Sequence, residues 1–126
     1  MDRLEKKKIL VVEDDRSLQS AIVEMLNQEG YETVSAFDGE EGLAKLSREK
    51  PDLVLLDIIL PKKDGFELLS QMKSNPETKE IPVLILTNLG EVDKVQKAVA
   101  LGATAFMIKA DYSIKEVLEK VKEALK

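Results

Sequence analysis

Cysteine and histidine are both missing from the 126 residues. Without thiols there is no disulfide frame and no cysteine nucleophile, and without imidazole the usual proton shuttle at neutral pH is absent. Zinc, cysteine and histidine-dependent serine-protease chemistries are therefore excluded. Basic charge is not in excess either: the net charge is -5, which argues against direct nucleic-acid binding through a phosphate-neutralising face. No apolar run approaches the length needed to cross a bilayer, and the opening Met1 to Lys8 is charged, unlike a targeting segment. A cytoplasmic location without membrane contact is expected. Aromatics are few and charged residues plentiful, a balance that suits a soluble domain with salt-bridged helices. The length fits a single domain over residues 1–126, enough for one real core and too short for two.

What the chain does contain is a series of short apolar runs, each ending on a polar residue. The most telling is Leu53-Val54-Leu55-Leu56, delivered onto Asp57 and followed by Pro61 and Asp64-Gly65. An unbroken apolar run of this length reads as a strand buried on both faces, with its acid at the rim of the core. Ile9 to Val12 repeats the pattern and ends in Glu13-Asp14-Asp15. Val83 to Leu86 stops at Thr87, and Ala105 to Ile108 stops at Lys109. Thr33 to Phe37 is half polar and reads as an edge strand.

Helical spacing fills the intervals. Leu18, Ala21, Ile22, Met25 and Leu26 form a first stripe from Ser17 onward, with Gly30 as its C-terminal punctuation. Asp38 with Glu41, Asp64 with Glu67 and Ser113 with Glu116 each have the spacing of a capping box. The inward residues of the four later helices are expected to be Leu43 and Leu46; Phe66, Leu69 and Met72; Val92, Val95, Ala98 and Val99; and Ile114, Val117, Leu118, Val121 and Leu125. Asn75-Pro76 and Gly102 close the third and fourth helices. Five strands alternating with five helices imply crossover units and a doubly wound parallel sheet, flavodoxin-like, with helices on both faces. With the half-polar strand at an edge the order is 2-1-3-4-5, and the ligand site is expected at the switch point between strands 1 and 3.

All strand C-termini share one rim in such a sheet. Glu13, Asp14 and Asp57 would converge there, with Thr87 and Lys109 nearby. Three carboxylates at one point repel by about 4 kcal/mol per close pair at an intermediate dielectric, so a cation belongs among them. Hard oxygen ligands with room for water and a phosphate describe a Mg²⁺ site better than a calcium cage. Asp15 is expected to be a solvated acid at a helix start.

Together, Val11-Val12-Glu13-Asp14, Leu55-Leu56-Asp57 with Pro61 and Asp64-Gly65, then Thr87, then Phe106 with Lys109 resemble the receiver domain of two-component response regulators, in the manner of a chemotaxis-type single-domain regulator. The resemblance runs over essentially the whole chain. It implies that Asp57 accepts a phosphoryl group from a sensor histidine kinase, a phosphotransfer protein or a small donor such as acetyl phosphate. It also implies that Glu13, Asp14, Asp57 and the backbone carbonyl of Ile59 serve Mg²⁺, Asp14 directly and Glu13 mostly through water. Thr87 and Lys109 would hold phosphoryl oxygens, and Thr87 with Phe106 would form the switch that reshapes the face of helix 4, strand 5 and helix 5 for a downstream protein.

Departures from the family pattern carry expectations of their own. Asn88 stands where a small residue is usual, which narrows access to the site. Ala110 follows Lys109 where proline is common, so a trans bond or a strained loop is expected there. Ile59 and Leu89 are apolar and cannot orient a water, so hydrolysis of the phosphorylated form should be slow. Two other functions compete: a Mg²⁺-dependent phosphohydrolase with an aspartate nucleophile, for which Ile59 stands where a second Asp is expected, and a pseudo-receiver docking module, which would lack an acid or the lysine. A flavodoxin-like redox carrier is opposed by the acids after strand 1, which would repel a cofactor phosphate. A complete chain of this length would act as a monomer through protein binding, dimerising at most on phosphorylation; as part of a longer chain it could serve DNA binding or an enzyme.

Overall fold

Four apolar residues in succession cannot be half-solvated, and Leu53 to Leu56 are all fully buried in the central strand of the sheet. The structure, a computed structural model, describes residues 6–57, 64–87, 92–108 and 113–126. Along these the elements alternate: β1 (Lys8–Val12), α1 (Arg16–Gln28), β2 (Glu32–Ala36), α2 (Gly39–Glu49), β3 (Leu53–Asp57), α3 (Gly65–Ser74), β4 (Val83–Thr87), α4 (Val92–Ala100), β5 (Ala105–Ile108) and α5 (Ile114–Ala124). The strands form one parallel sheet in the order β2-β1-β3-β4-β5. Val11 pairs with both Ser35 and Leu55, and Leu55 in turn with Leu84.

Because side chains alternate along a strand, the sheet feeds two cores. Leu10, Val12, Val54, Leu56, Val83 and Ile85 face one way and meet Leu46, Leu68, Leu69, Met72 and Ala98 of α2, α3 and α4. Ile9, Val11, Leu53, Leu55, Leu84 and Leu86 face the other way, onto Ile22 and Leu26 of α1 and Val117 and Val121 of α5. Each such side chain contributes about 1.5–3 kcal/mol on leaving water. β3 is buried along its whole length, with a core on each side. One close approach needs a glycine: a Cβ on Gly42 of α2 would lie 2.8 Å from Leu68 Cδ1 and 3.2 Å from Val12.

Local chemistry sets the helix ends. Asp15, Asp38, Asp64 and Ser113 are the N-caps, accepting from the main-chain N–H of Leu18, Glu41, Glu67 and Glu116. At α5 the box is reciprocal, with Ser113 N–H donating to Glu116 Oε1 at 2.9 Å. At α2 the return bond reaches one residue further back, from Phe37 N–H to Glu41 Oε1 at 2.7 Å. Asn75, ahead of Pro76, is extended and ends α3. Gly30 and Gly102 take positive φ after α1 and α4.

Three details depart from the sequence reading, and the end of α2 adds one that it did not address. β2 begins and ends one residue earlier than Thr33 to Phe37, because Phe37 N–H is taken by Glu41. Ala21 is exposed while Gln19 is buried, so the stripe of α1 is rotated by one position. Val99 is 49% exposed and faces away from the core that holds Ala98. α2 ends on Lys50 in the left-handed region (φ 46), its N–H still bonded to Leu46 O at 3.1 Å and the buried Pro51 next in the chain.

Glu41 also bonds Lys45 Nζ at 3.0 Å. The Phe37 N–H foremost, helped by Lys45, holds its carboxyl below the usual carboxylate range, against the opposing effects of burial and of the Asp38 charge. A depressed carboxylate stabilises the fold above its unfolded value, about 4.3, and the contribution fades as pH falls through the lower folded value. Glu41→Gln should therefore lower the melting temperature at pH 7 by about 2 °C. The gap should close below pH 4 in thermal melts; an equal gap at acid pH would contradict this.

Candidate functional site

The rim where the strands end carries the acids. Glu13 directly follows β1 and is fully buried; its N–H continues the pairing, donating to Ala36 O at 3.0 Å. Its Oε2 accepts from Asp15 N–H at 3.0 Å, so the side chain is turned along the rim. Asp57 closes β3 and is 5% exposed, its position set by pairing with Leu86 of β4. Asp14 is exposed. Carboxylate oxygens of Glu13, Asp14 and Asp57 lie within 4.8 Å of one another, at the crevice between β1 and β3.

That geometry suits a cation. Oxygens sharing one hard divalent ion at 2.0–2.6 Å lie up to about 4–5 Å apart, and all three donors here are carboxylates. At 4.8 Å two like charges repel by about 3 kcal/mol at an effective dielectric of about 20, and an ion among them reverses the sign of that interaction. Asp15 is not in the cluster; its side chain caps α1 through Leu18 N–H at 3.1 Å, and it is exposed as expected.

Thr87 is the last residue of β4, and its Cα lies opposite Ile108, the last residue of β5. The Lys109 and Ile59 positions, like Asn88, Leu89, Ala110 and Pro61, lie outside the described residues. Phe106, on β5, is 42% exposed and so is not part of the core. Gln19 was not singled out in the sequence. It stands three and seven residues before Ile22 and Leu26, so it shares their buried face; its polarity hid that position.

A doubly wound parallel sheet with an acidic cluster at its switch point defines the class, and the comparisons identify the family. Residues 9–122 match the response regulator receiver domain, and the chain belongs to that family. It is 40% identical over 119 residues to sporulation initiation phosphotransferase F of Bacillus subtilis, covering 94% of each chain. Over 121 residues it is 42% identical to the alkaline phosphatase synthesis transcriptional regulatory protein PhoP of the same organism, and there it spans 49% of the relative's length. Among solved structures, the chemotaxis protein CheY4 of Vibrio cholerae superposes with a TM-score of 0.87 at 30% identity, over 95% of this chain and 99% of that one.

The crowding of like charge has a measurable consequence. In metal-free buffer Asp14→Asn should melt about 2 °C above the wild type, and the gain should shrink as added salt screens the cluster. A lower melting temperature for the variant would count against repulsion at the site.

Proposed function

We propose that this chain is a phosphorylation-activated switch of a two-component system, with Asp57 as phosphoacceptor. The observation that carries the reading is the cluster of Glu13, Asp14 and Asp57 at the end of a fully buried strand, in a chain of the receiver family. A carboxylate oxygen of Asp57 attacks phosphorus; an O–P bond forms, the P–N bond of a donor phosphohistidine breaks, and the leaving imidazole takes a proton from water. With acetyl phosphate the P–O bond breaks and acetate leaves. Such transfer depends on positioning and charge neutralisation, and a chain without histidine can perform it.

Glu13, Asp14, Asp57 and the Ile59 carbonyl would hold Mg²⁺. When bound, it supplies positive charge that offsets the phosphoryl oxygens and the acids. Lys109 and the Thr87 hydroxyl hold the phosphoryl oxygens. Val99 of α4 and Phe106 of β5, the large apolar side chains exposed among the described residues, support a docking face over α4, β5 and α5, whose shape phosphorylation changes through Thr87 and Phe106. Phosphorylation acts there only through contacts that differ between the two states. Residues 1–126 act as one domain in the cytoplasm, with a sensor histidine kinase or phosphotransfer protein upstream and a protein target downstream. The domain binds no nucleic acid itself and is a monomer that can dimerise when phosphorylated. Its only catalysis is its own phosphoryl transfer and slow hydrolysis.

Intact-mass spectrometry after incubation with acetyl phosphate should give a phosphoryl adduct on the wild type in Mg²⁺, none without Mg²⁺ and none on Asp57→Asn. No adduct, or equal adducts on both proteins, would overturn the assignment. The adduct should also persist for minutes or longer, because Ile59 and Leu89 offer no group to orient a hydrolytic water; decay within seconds would remove that role from them.

A further inference from the structure

Behind the acids lies a buried amide that the phosphoryl chemistry does not use. Gln19 of α1 is 2% exposed, and its Nε2 donates to three main-chain carbonyls: Val11 at 3.1 Å, Glu13 at 3.2 Å and Ala36 at 3.0 Å. These belong to β1, to the residue that follows it and to the end of β2. A primary amide has two hydrogens, so one is shared. Reversing the amide would set Oε1 against three carbonyl oxygens, so the acceptors determine its orientation.

The bonds close a ring around one acid. Glu13 Oε2 accepts from Asp15 N–H at 3.0 Å, Asp15 O accepts from Gln19 N–H at 2.9 Å, and Gln19 Nε2 returns to Glu13 O. Ala36 O, held by Gln19, also receives the Glu13 N–H at 3.0 Å. The Glu13 backbone is thus gripped on both sides, and its carboxylate is aimed by a third bond. An isosteric side chain without the amide would take this donor from all three carbonyls, leaving Ala36 O with the Glu13 N–H, and the junction of β1, β2 and α1 would relax.

We propose that Gln19 is a positioning residue for Glu13, and that the Mg²⁺ affinity of the site depends on it. This rests on reading Glu13, Asp14 and Asp57 as the Mg²⁺ site. Gln19→Met keeps length and apolar volume and removes the donors. Calorimetric titration with Mg²⁺ should show about 10-fold weaker binding, the scale typical of outer-shell partners of metal ligands. Thr78→Val is the matched control: Thr78 is buried and its Oγ1 donates to Met72 O at 2.7 Å, in the connection into β4 at the opposite rim. It should lose stability and keep wild-type affinity.

In NMR spectra of the wild type, the Gln19 side-chain amide should shift on Mg²⁺ addition with the same midpoint as the Glu13 main-chain amide, while the exposed Gln28 and Gln71 stay still. Wild-type Mg²⁺ affinity in Gln19→Met, or an unmoved Gln19 amide, would overturn the proposal. Should Gln19→Met fail to fold, the wild-type spectra decide. If the wild type binds no Mg²⁺, the metal-site reading falls and takes this one with it. If the wild type binds, Asp57→Asn does not, and Gln19→Met matches the wild type, only the positioning role falls.

Discussion

A parallel sheet forces every strand to run the same way, and that directional constraint is what the rest of this protein depends on. Each crossover must carry the chain back along a helix before the next strand can begin, so all five strands finish on one rim. Residues distant in sequence, Glu13 after β1 and Asp57 at the end of β3, are thereby brought within carboxylate contact. Burial on both faces makes the arrangement stiff: Leu53 to Leu56 have no solvent-facing side on which to shift, and a one-residue slip would invert both cores at once.

Such stiffness lets the chain hold like charges together. Glu13 and Asp57 are nearly inaccessible to water, an expensive state for carboxylates in general, yet main-chain groups set at least part of their geometry. The N–H of Asp15 meets Glu13, and sheet pairing fixes the backbone of Asp57. A receiver domain built in this way can keep its acids in place with little rearrangement, which is the condition for transfer chemistry that relies on positioning. Elsewhere charge is handled with less tension. Asp38, Asp64 and Ser113 answer the unpaired N–H groups at helix starts, and Lys8 bridges Glu49 and Glu32 along the sheet edge.

The opposite relation to solvent holds at β5. Phe106 leaves the core for the surface, and Val99 on the neighbouring α4 does the same. Both strand ends beside this region, at Thr87 and Ile108, are paired across β4 and β5. Asp57 of β3 pairs with Leu86 of β4, and β4 pairs with β5, so two strand pairings separate the acid rim from this apolar face.

Much of this was legible from the residues in order. The apolar runs marked β1, β3, β4 and β5 because buried strands tolerate nothing else, the half-polar Thr33 to Phe37 segment marked the edge, and the cap spacings marked the helix starts. Glu13, Asp14 and Asp57 stand out as strand-end acids, and their convergence follows from the sheet order. What the tertiary structure alone decided were matters of neighbour and angle. The phase of α1 left Ala21 in water and buried Gln19, since a polar side chain counts as inward only when carbonyls wait to receive it. Val99 has the apolar character of an inward residue and lies exposed, because periodicity over a short helix does not fix which flank meets the sheet. Lys50 takes a left-handed cap of the kind glycine favours. Local pattern determines which residues want burial or a cap; which particular partners satisfy them is settled only when the elements are packed together.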